Sequence, residues 1–287
     1  MKKTIVTFTL VFFGILTIKS QSNDNSLLWK ISGNGLEAAS YVFGTFHLLC
    51  PDDLNITEQM KEAVSQSEVL ALELDFDDPS LMLGLQSGMI FRDGTTAKDY
   101  LDEEEYSLVA EFFSEKMQLP FQQLSVIKPF FLSSMTMLYF LDCQPVSIEM
   151  ELAGLAKEAE IEVIGLETVE EQLGFIDEIS LEDQAKMLVE GIEDLDEMEG
   201  MTEQILQTYL AGDLQGINEI MDEYMTEDYS EMNENLILTR NADWIPKIEK
   251  LIAEQAAFIA VGAGHLPGDK GILTMLAKAG YKVEAVR

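Results

Sequence analysis

Six short apolar runs, rich in β-branched and aromatic residues, constrain this chain more than any other feature: "LLWKIS", "SYVFGTF", "EVLALEL", "IEVIGL", "AAFIAVG" and "YKVEAV". Runs of this length bounded by glycine, asparagine or charged residues read as strands, not helices. The first two are joined by a Gly/Asn turn, and amphipathic helical patterns separate most of the others. Strands that alternate with helices build a layered core. The expected fold class is α/β with α+β character: a mixed β-sheet core with flanking helices and an acidic helical lobe.

The helical patterns carry their own signals. "NITEQMKEAVSQS" has Asn55 as its expected N-cap, with Glu58 three residues on and Ile56, Met60 and Val64 on one face. "DEEEYSLVAEFFSEKM" opens on an acidic first turn and continues through Leu108, Phe112 and Phe113. Residues 122–142 are apolar nearly all round, which predicts a buried helix. "SIEMELAGLAKEAE", "NLILTRNADWIPKIEKLIAE" and "ILTMLAKAG" read as further helices. Between Asp177 and Asn235 the chain is acidic and Met-rich, with capping signals such as Ser180 before Asp183; two or three helices with solvated acidic faces are expected there.

Charge narrows the function. The chain of 287 residues carries a formal net charge of −34, and 47% of it is hydrophobic. It is therefore globular, and nucleic-acid binding is excluded, since phosphate contacts need clustered Lys and Arg. Residues 1–20 have the layout of an export signal: Lys2 and Lys3, an apolar stretch from Ile5 to Ile18, and a cut near Ser20. A retained N-terminal anchor is the alternative. Residues 21–26 then form a linker and 27–287 a single domain, with the helical lobe at about 177–253. No later segment reaches about 18 uninterrupted apolar residues, so no stable membrane span is expected once the signal is removed. The expected location is periplasmic or extracellular. Cys50 and Cys143 are the two cysteines, and an exported chain can pair them; spacing alone leaves the disulfide open.

The chain has only two histidines, His47 and His265. Each ends a Gly-x-x-His that follows an apolar run: Gly44 to His47, and Gly262 to His265. Glycine lets the backbone turn or approach closely past a strand, and strand ends are where α/β folds build sites. Imidazole is both a metal ligand and a base near neutral pH. Two histidines do not complete a metal site, so carboxylates are the expected remaining ligands. Glu73 follows four apolar strand residues and Glu167 follows "EVIGL". Asp75 shares a face with Glu73 in an extended strand, while Asp52 and Asp53 begin a loop. Arg240 stands out in a region poor in basic residues: it either steadies an oxyanion or pairs with nearby acids. Asn241 either binds substrate or caps a turn.

Taken in order, "LLWKISG", "SYVFGTFHLLCP", "LALELD", "EVIGLETVEEQ", "TRNADW" and "VGAGHLPGDKGI" resemble the TraB/GumN family, which includes the PrgY and Tiki proteins. The resemblance runs over nearly all of residues 27–287. Tiki proteins look like metal-dependent proteases, erythromycin esterases are related hydrolases, and a haem-binding lipoprotein shares the fold. The resemblance implies a mixed sheet-and-helix core with a site between the two Gly-x-x-His strands. It matches His47 and His265 to the family histidines, Glu73 to the second-strand acid, Glu167 to the "GLET" acid, and Arg240 and Asn241 to the "RN" pair.

The expected function is an exported metal-dependent hydrolase acting on a peptide or small-molecule substrate. His47, His265 and Glu73 would hold a divalent ion of the Mn, Co or Zn type, with Glu167 as a further ligand or the base and Arg240 on the oxyanion. A metal-free route with a histidine base stays open. The alternative from another class is a non-catalytic binding protein that sequesters a peptide, haem or metal.

Overall fold

The structure is a computed structural model that describes residues 25–224 and 230–287. The expected signal, residues 1–20, and most of the linker lie outside the described residues. In chain order the elements are β1 (Leu28–Ser32), β2 (Ser40–Thr45), α1 (Glu58–Ser65), β3 (Val69–Leu72), α2 (Leu81–Met89), α3 (Glu103–Glu111), α4 (Phe121–Leu124) and α5 (Pro129–Thr136). Then come α6 (Ile148–Glu158), β4 (Glu162–Gly165), α7 (Val169–Asp177), α8 (Leu181–Glu193), α9 (Leu195–Leu210), α10 (Leu214–Tyr224) and α11 (Ser230–Asn233). A π-helical stretch (Glu234–Thr239) leads into α12 (Arg240–Glu254), followed by β5 (Ala257–Gly262), α13 (Ile272–Lys278) and β6 (Lys282–Ala285).

The six apolar runs become the six strands of one mixed sheet, in the order β4-β3-β5-β2-β1-β6. The fold class is mixed α/β, as expected. The four strands β4, β3, β5 and β2 are parallel to one another, while β1 pairs antiparallel with β2 and β6. The β1–β2 hairpin turns through Gly33, Asn34 and Gly35, all at positive φ.

Parallel strands need both faces covered, and the residues alternate accordingly. On β5, Ala257, Ile259 and Val261 enter a core shared with Trp244, Ile248 and Ile252 of α12 and Ile272 and Leu276 of α13. Phe258 and Ala260 enter the opposite core, with Met60 and Val64 of α1 and Ile148 and Leu152 of α6. A third core joins Val109, Phe112, Phe113, Phe121 and Leu132 to Leu188, Val189 and Ile192 of α8. The helical region thus recruits residues well before Asp177. Ser180 caps α8 by accepting from the Asp183 amide at 3.1 Å.

Two local expectations are corrected. The N-cap of α1 is Thr57, whose hydroxyl accepts from the Met60 amide at 3.2 Å. Asn55 lies two residues too early to reach the first-turn amides. Residues 122–142 are not one buried helix. Pro129 has no N–H and disfavours a helical residue before it, so Lys128 is extended (φ −62, ψ 146) and α5 starts afresh at Pro129. Phe130 and Phe131 are half-buried and line a cleft. Among the described residues no helix is long and apolar enough to cross a membrane.

Cys50 and Cys143 form a disulfide, with their Cα atoms 5.7 Å apart. Beside it, Leu49 and Val146 exchange both backbone hydrogen bonds, at 3.1 and 2.8 Å. The loop after β2 is thereby fastened to the segment before α6.

Candidate active site at the carboxyl ends of four parallel strands

Each of the four parallel strands ends on a residue singled out in the sequence. Glu167 follows β4, Glu73 follows β3, His265 follows β5 through a 3₁₀ turn (Ala263–His265), and His47 follows β2. Parallel strands all point one way, so their chain-distant C-terminal residues emerge together. That is where open α/β sheets bind ligands. The β2–β5 pairing sets Thr45 opposite Gly262, which carries the two Gly-x-x-His motifs side by side. The ladder between β3 and β4 continues past the strands, with the Glu167 amide donating to the Glu73 carbonyl at 3.1 Å.

The motif glycines are there for proximity. A Cβ on Gly44 would stand 3.1 Å from the Ala263 Cα and 3.0 Å from Leu266 Cδ1. A Cβ on Gly262 would meet Glu73 Oε1 at 3.3 Å, His265 Cδ2 at 3.5 Å and His47 Nε2 at 3.8 Å. Both histidines and Glu73 therefore converge over the Gly262 backbone.

Arg240, at the start of α12, threads between the two acids. Its Nη2 donates to Glu73 Oε2 and to Glu167 Oε1, both at 2.6 Å, and its Nε reaches both Glu167 oxygens at 3.2 Å. Nη1 donates to the Leu236 carbonyl at 2.9 Å and to His265 Nε2 at 3.2 Å. The π-helical stretch before α12 supplies that carbonyl; such stretches recur at functional sites. Trp244, one turn on, lies under the guanidinium at 4.6 Å and donates from its indole to Glu167 Oε2 at 3.0 Å. Gln172 adds a hydrogen bond to Glu167 Oε1 at 3.0 Å. Arg240 thus pairs with both acids. Asn241 takes its capping role: its amide donates to the carbonyls of His265 and Lys270.

The two histidines differ in kind. Arg240 can only donate, so His265 Nε2 accepts, and Nδ1 carries the proton that goes to Asn241 Oδ1 at 2.7 Å. Burial lowers the His265 pKa to about 3; Arg240 and His47 push the same way and Glu73 opposes. This ring is neutral and enclosed. The His47 side chain is 66% exposed to the cleft, against 4% for His265. Its Nδ1 donates to Glu149 Oε1 at 2.7 Å, and Ser147 holds the other Glu149 oxygen at 2.7 Å. Desolvation opposes a charge on His47, but the Glu149 hydrogen bond and the charges of Glu73 and Glu149 outweigh it and raise the pKa to about 9. Desolvation likewise opposes the charge on Glu73, yet Arg240, the histidines and the Gly262 amide, at 2.7 Å, bring its pKa down to about 2. On Glu167 burial outweighs Arg240 and the pKa rises.

Glu149 is the residue that sequence reasoning missed. It sits in the acidic first turn of α6, where an acid is ordinary helix-dipole chemistry. Its burial at 4% exposure is what marks it, and that is a tertiary fact. Asp75 does not join the site: it turns back to accept from the Asp77 amide at 2.9 Å. Asp52 and Asp53 lie in the turn after Cys50.

The sequence predicts a divalent ion on His47, His265 and Glu73, but as arranged these side chains do not form a ligand set. Among the described residues, no three His, Cys, Asp or Glu side chains are gathered as a ligand set. Arg240 takes lone pairs on Glu73 and His265 that a metal would need. The positive charge held directly on Glu73 and Glu167 is the guanidinium.

His47, Glu73, Arg240 and His265 floor a cleft of about 600 Å³ whose walls come from α5, α7, α9, α10 and the stretch before α12. The description TraB/PrgY/gumN family matches residues 27–285. The chain belongs to that family. Among curated relatives, Metalloprotease TIKI1 of Homo sapiens is 24% identical over 318 aligned positions, covering 92% of this chain and 62% of the relative. Metalloprotease TIKI1 of Danio rerio is 24% identical over 324, covering 94% and 65%. This family member thus spans less than two thirds of either relative's length. No solved structure matches it.

Proposed function

We propose that this protein is an exported hydrolase that cleaves peptide bonds in the cleft above Gly262. The observation that carries the reading is the convergence of His47 Nε2 and Glu73 Oε1 on one space, with His47 open to the cleft and backed by Glu149, and Glu73 paired with Arg240. A protonated imidazole and an ionised carboxylate facing one space can serve as acid and base. His47, protonated at neutral pH and backed by Glu149, donates to the departing amine. Glu73, kept ionised by Arg240, accepts the proton of the attacking water. Arg240 and the Gly262 amide hold Glu73 in place, and His265, neutral and bonded to Arg240 and Asn241, stays out of proton transfer. The similarity to two metalloproteases supports peptide hydrolysis, and the Cys50–Cys143 disulfide supports an oxidising compartment.

The same similarity favours a second reading, in which a divalent ion is held by His47, His265 and Glu73 as a Lewis acid. That reading requires Arg240 to withdraw from Glu73 and His265.

The test is cleavage of a peptide mixture by the purified protein, read by mass spectrometry, with metal content measured on the same sample. Removing the acid or the base by His47→Ala or Glu73→Gln is expected to lower the rate by about 10²-fold or more. Peptides recovered intact but bound would favour sequestration over turnover. Cleavage unaffected by both substitutions would sink the assignment. Stoichiometric metal, with activity lost on chelation, would decide for the second reading.

A further inference from the structure

The cleft has one polar end and a long apolar remainder. Its charged lining groups are Glu73, Arg240 and His47, all on the floor and all engaged. Among the described residues the walls hold no Lys, Arg, Asp or Glu. They are built by Phe130 and Phe131 of α5, Leu206 of α9, Met221 of α10, and Leu236 and Ile237 before α12. Leu206 and Met221 come from the acidic stretch between Asp177 and Asn235, so an acidic composition there still supplies apolar wall.

We propose that this wall is the specificity pocket for an uncharged, apolar peptide segment, a run of aliphatic or aromatic side chains directly beside the bond that reacts. The inference rests on the peptide-hydrolase reading and deepens it. Three observations support it. The apolar wall is continuous with the Glu73–His47 floor, so a segment seated on it brings its neighbouring peptide bond to those groups. A volume of about 600 Å³ lies within the range of sites that enclose a ligand rather than brush against it. A charged side chain buried against that wall would meet no charged partner among the described wall residues, and an unpaired buried charge is strongly disfavoured. Such a wall selects by exclusion as much as by attraction.

The experiment separates binding from turnover. The neutral dye N-phenyl-1-naphthylamine is bound to the full chain, and two peptides of equal length compete for it. They share their ends and differ at three central positions, Leu-Phe-Leu against Glu-Ser-Lys. The apolar peptide is expected to displace the dye at about a tenfold lower concentration or less. Phe131 and Ile237 are half-buried and belong to none of the three cores, which makes them suitable positions to alter. Ile237→Glu is expected to abolish the difference between peptides, and Phe131→Ala to weaken dye binding, with thermal unfolding of each checked against wild type. No dye binding, equal competition by both peptides, or a preference that survives Ile237→Glu in a folded protein would overturn the proposal. An apolar peptide that binds but is never cut would leave the pocket standing and remove the hydrolase reading.

Discussion

Arg240→Met offers the sharpest check on the site, because the guanidinium joins two buried carboxylates. The exposures of the Arg240, Glu73 and Glu167 side chains are 8%, 9% and 2%. Methionine keeps much of the volume and removes the charge and every hydrogen bond, including those to Glu73 and Glu167 at 2.6 Å. Removing one partner of a buried ion pair costs about 3–5 kcal/mol, and here two acids lose theirs together. The expected loss is therefore at the upper end, about 5 kcal/mol. At about 2–4 °C per kcal/mol, Tm falls by roughly 10 °C or more.

The loss must also depend on pH, with a definite sign. In wild type the Glu73 pKa lies near 2, below its ordinary 4.5, so its stabilisation is full above 4.5 and fades toward 2. Without Arg240 the two carboxyls sit in a buried, like-charged pair and bind protons more tightly than in the unfolded chain. The variant therefore gains on wild type as pH falls from neutrality to about 5. The assay is urea unfolding at pH 7 and pH 5, read by tryptophan fluorescence; Trp244 lies against Arg240. A difference below about 1 kcal/mol at pH 7, or one that does not shrink at pH 5, would refute the argument. Arg240→Lys keeps the charge without the fork and is expected to fall between the two.

Wild type should lose stability on acidification in two overlapping steps. His265 stays neutral when folded, with a pKa of about 3 against 6.5, so the unfolded chain gains protons first and stability drops as pH falls from 6.5 toward 3. Glu73 adds its loss between 4.5 and 2. His47 acts oppositely, contributing below 6.5 and fading toward 9, but its exposure keeps that share small. Equal urea midpoints at pH 4.5 and pH 7 would contradict this. Reducing Cys50–Cys143, or replacing both by serine, should cost about 2–4 kcal/mol of stability. It should also slow turnover, because the disulfide and the Leu49–Val146 pair together hold the His47 loop against Glu149. Unchanged kcat in the reduced, folded protein would show that this fastening does not position His47.

The sequence by itself determined which segments would be strands and which residues would stand at their ends. Apolar β-branched runs and their terminating glycines and acids are local signals, and all six strands follow them. His47, His265, Glu73 and Glu167 were legible for that reason, as was the "RN" pair through family resemblance. Local signals could mislead where a single residue overrides the pattern, as Pro129 does in cutting an apolar stretch into two helices. Only the tertiary structure decided who meets whom. The parallel order β4-β3-β5-β2 lines up four strand ends, and that order depends on packing between chain-distant segments. The same packing brings Arg240 between Glu73 and Glu167, so the charge balance of the site is set by a helix start far from both acids. It also turns Glu149, an ordinary first-turn acid by sequence, into the partner of His47. Burial and proximity create these roles, and neither is written in a residue's own neighbourhood.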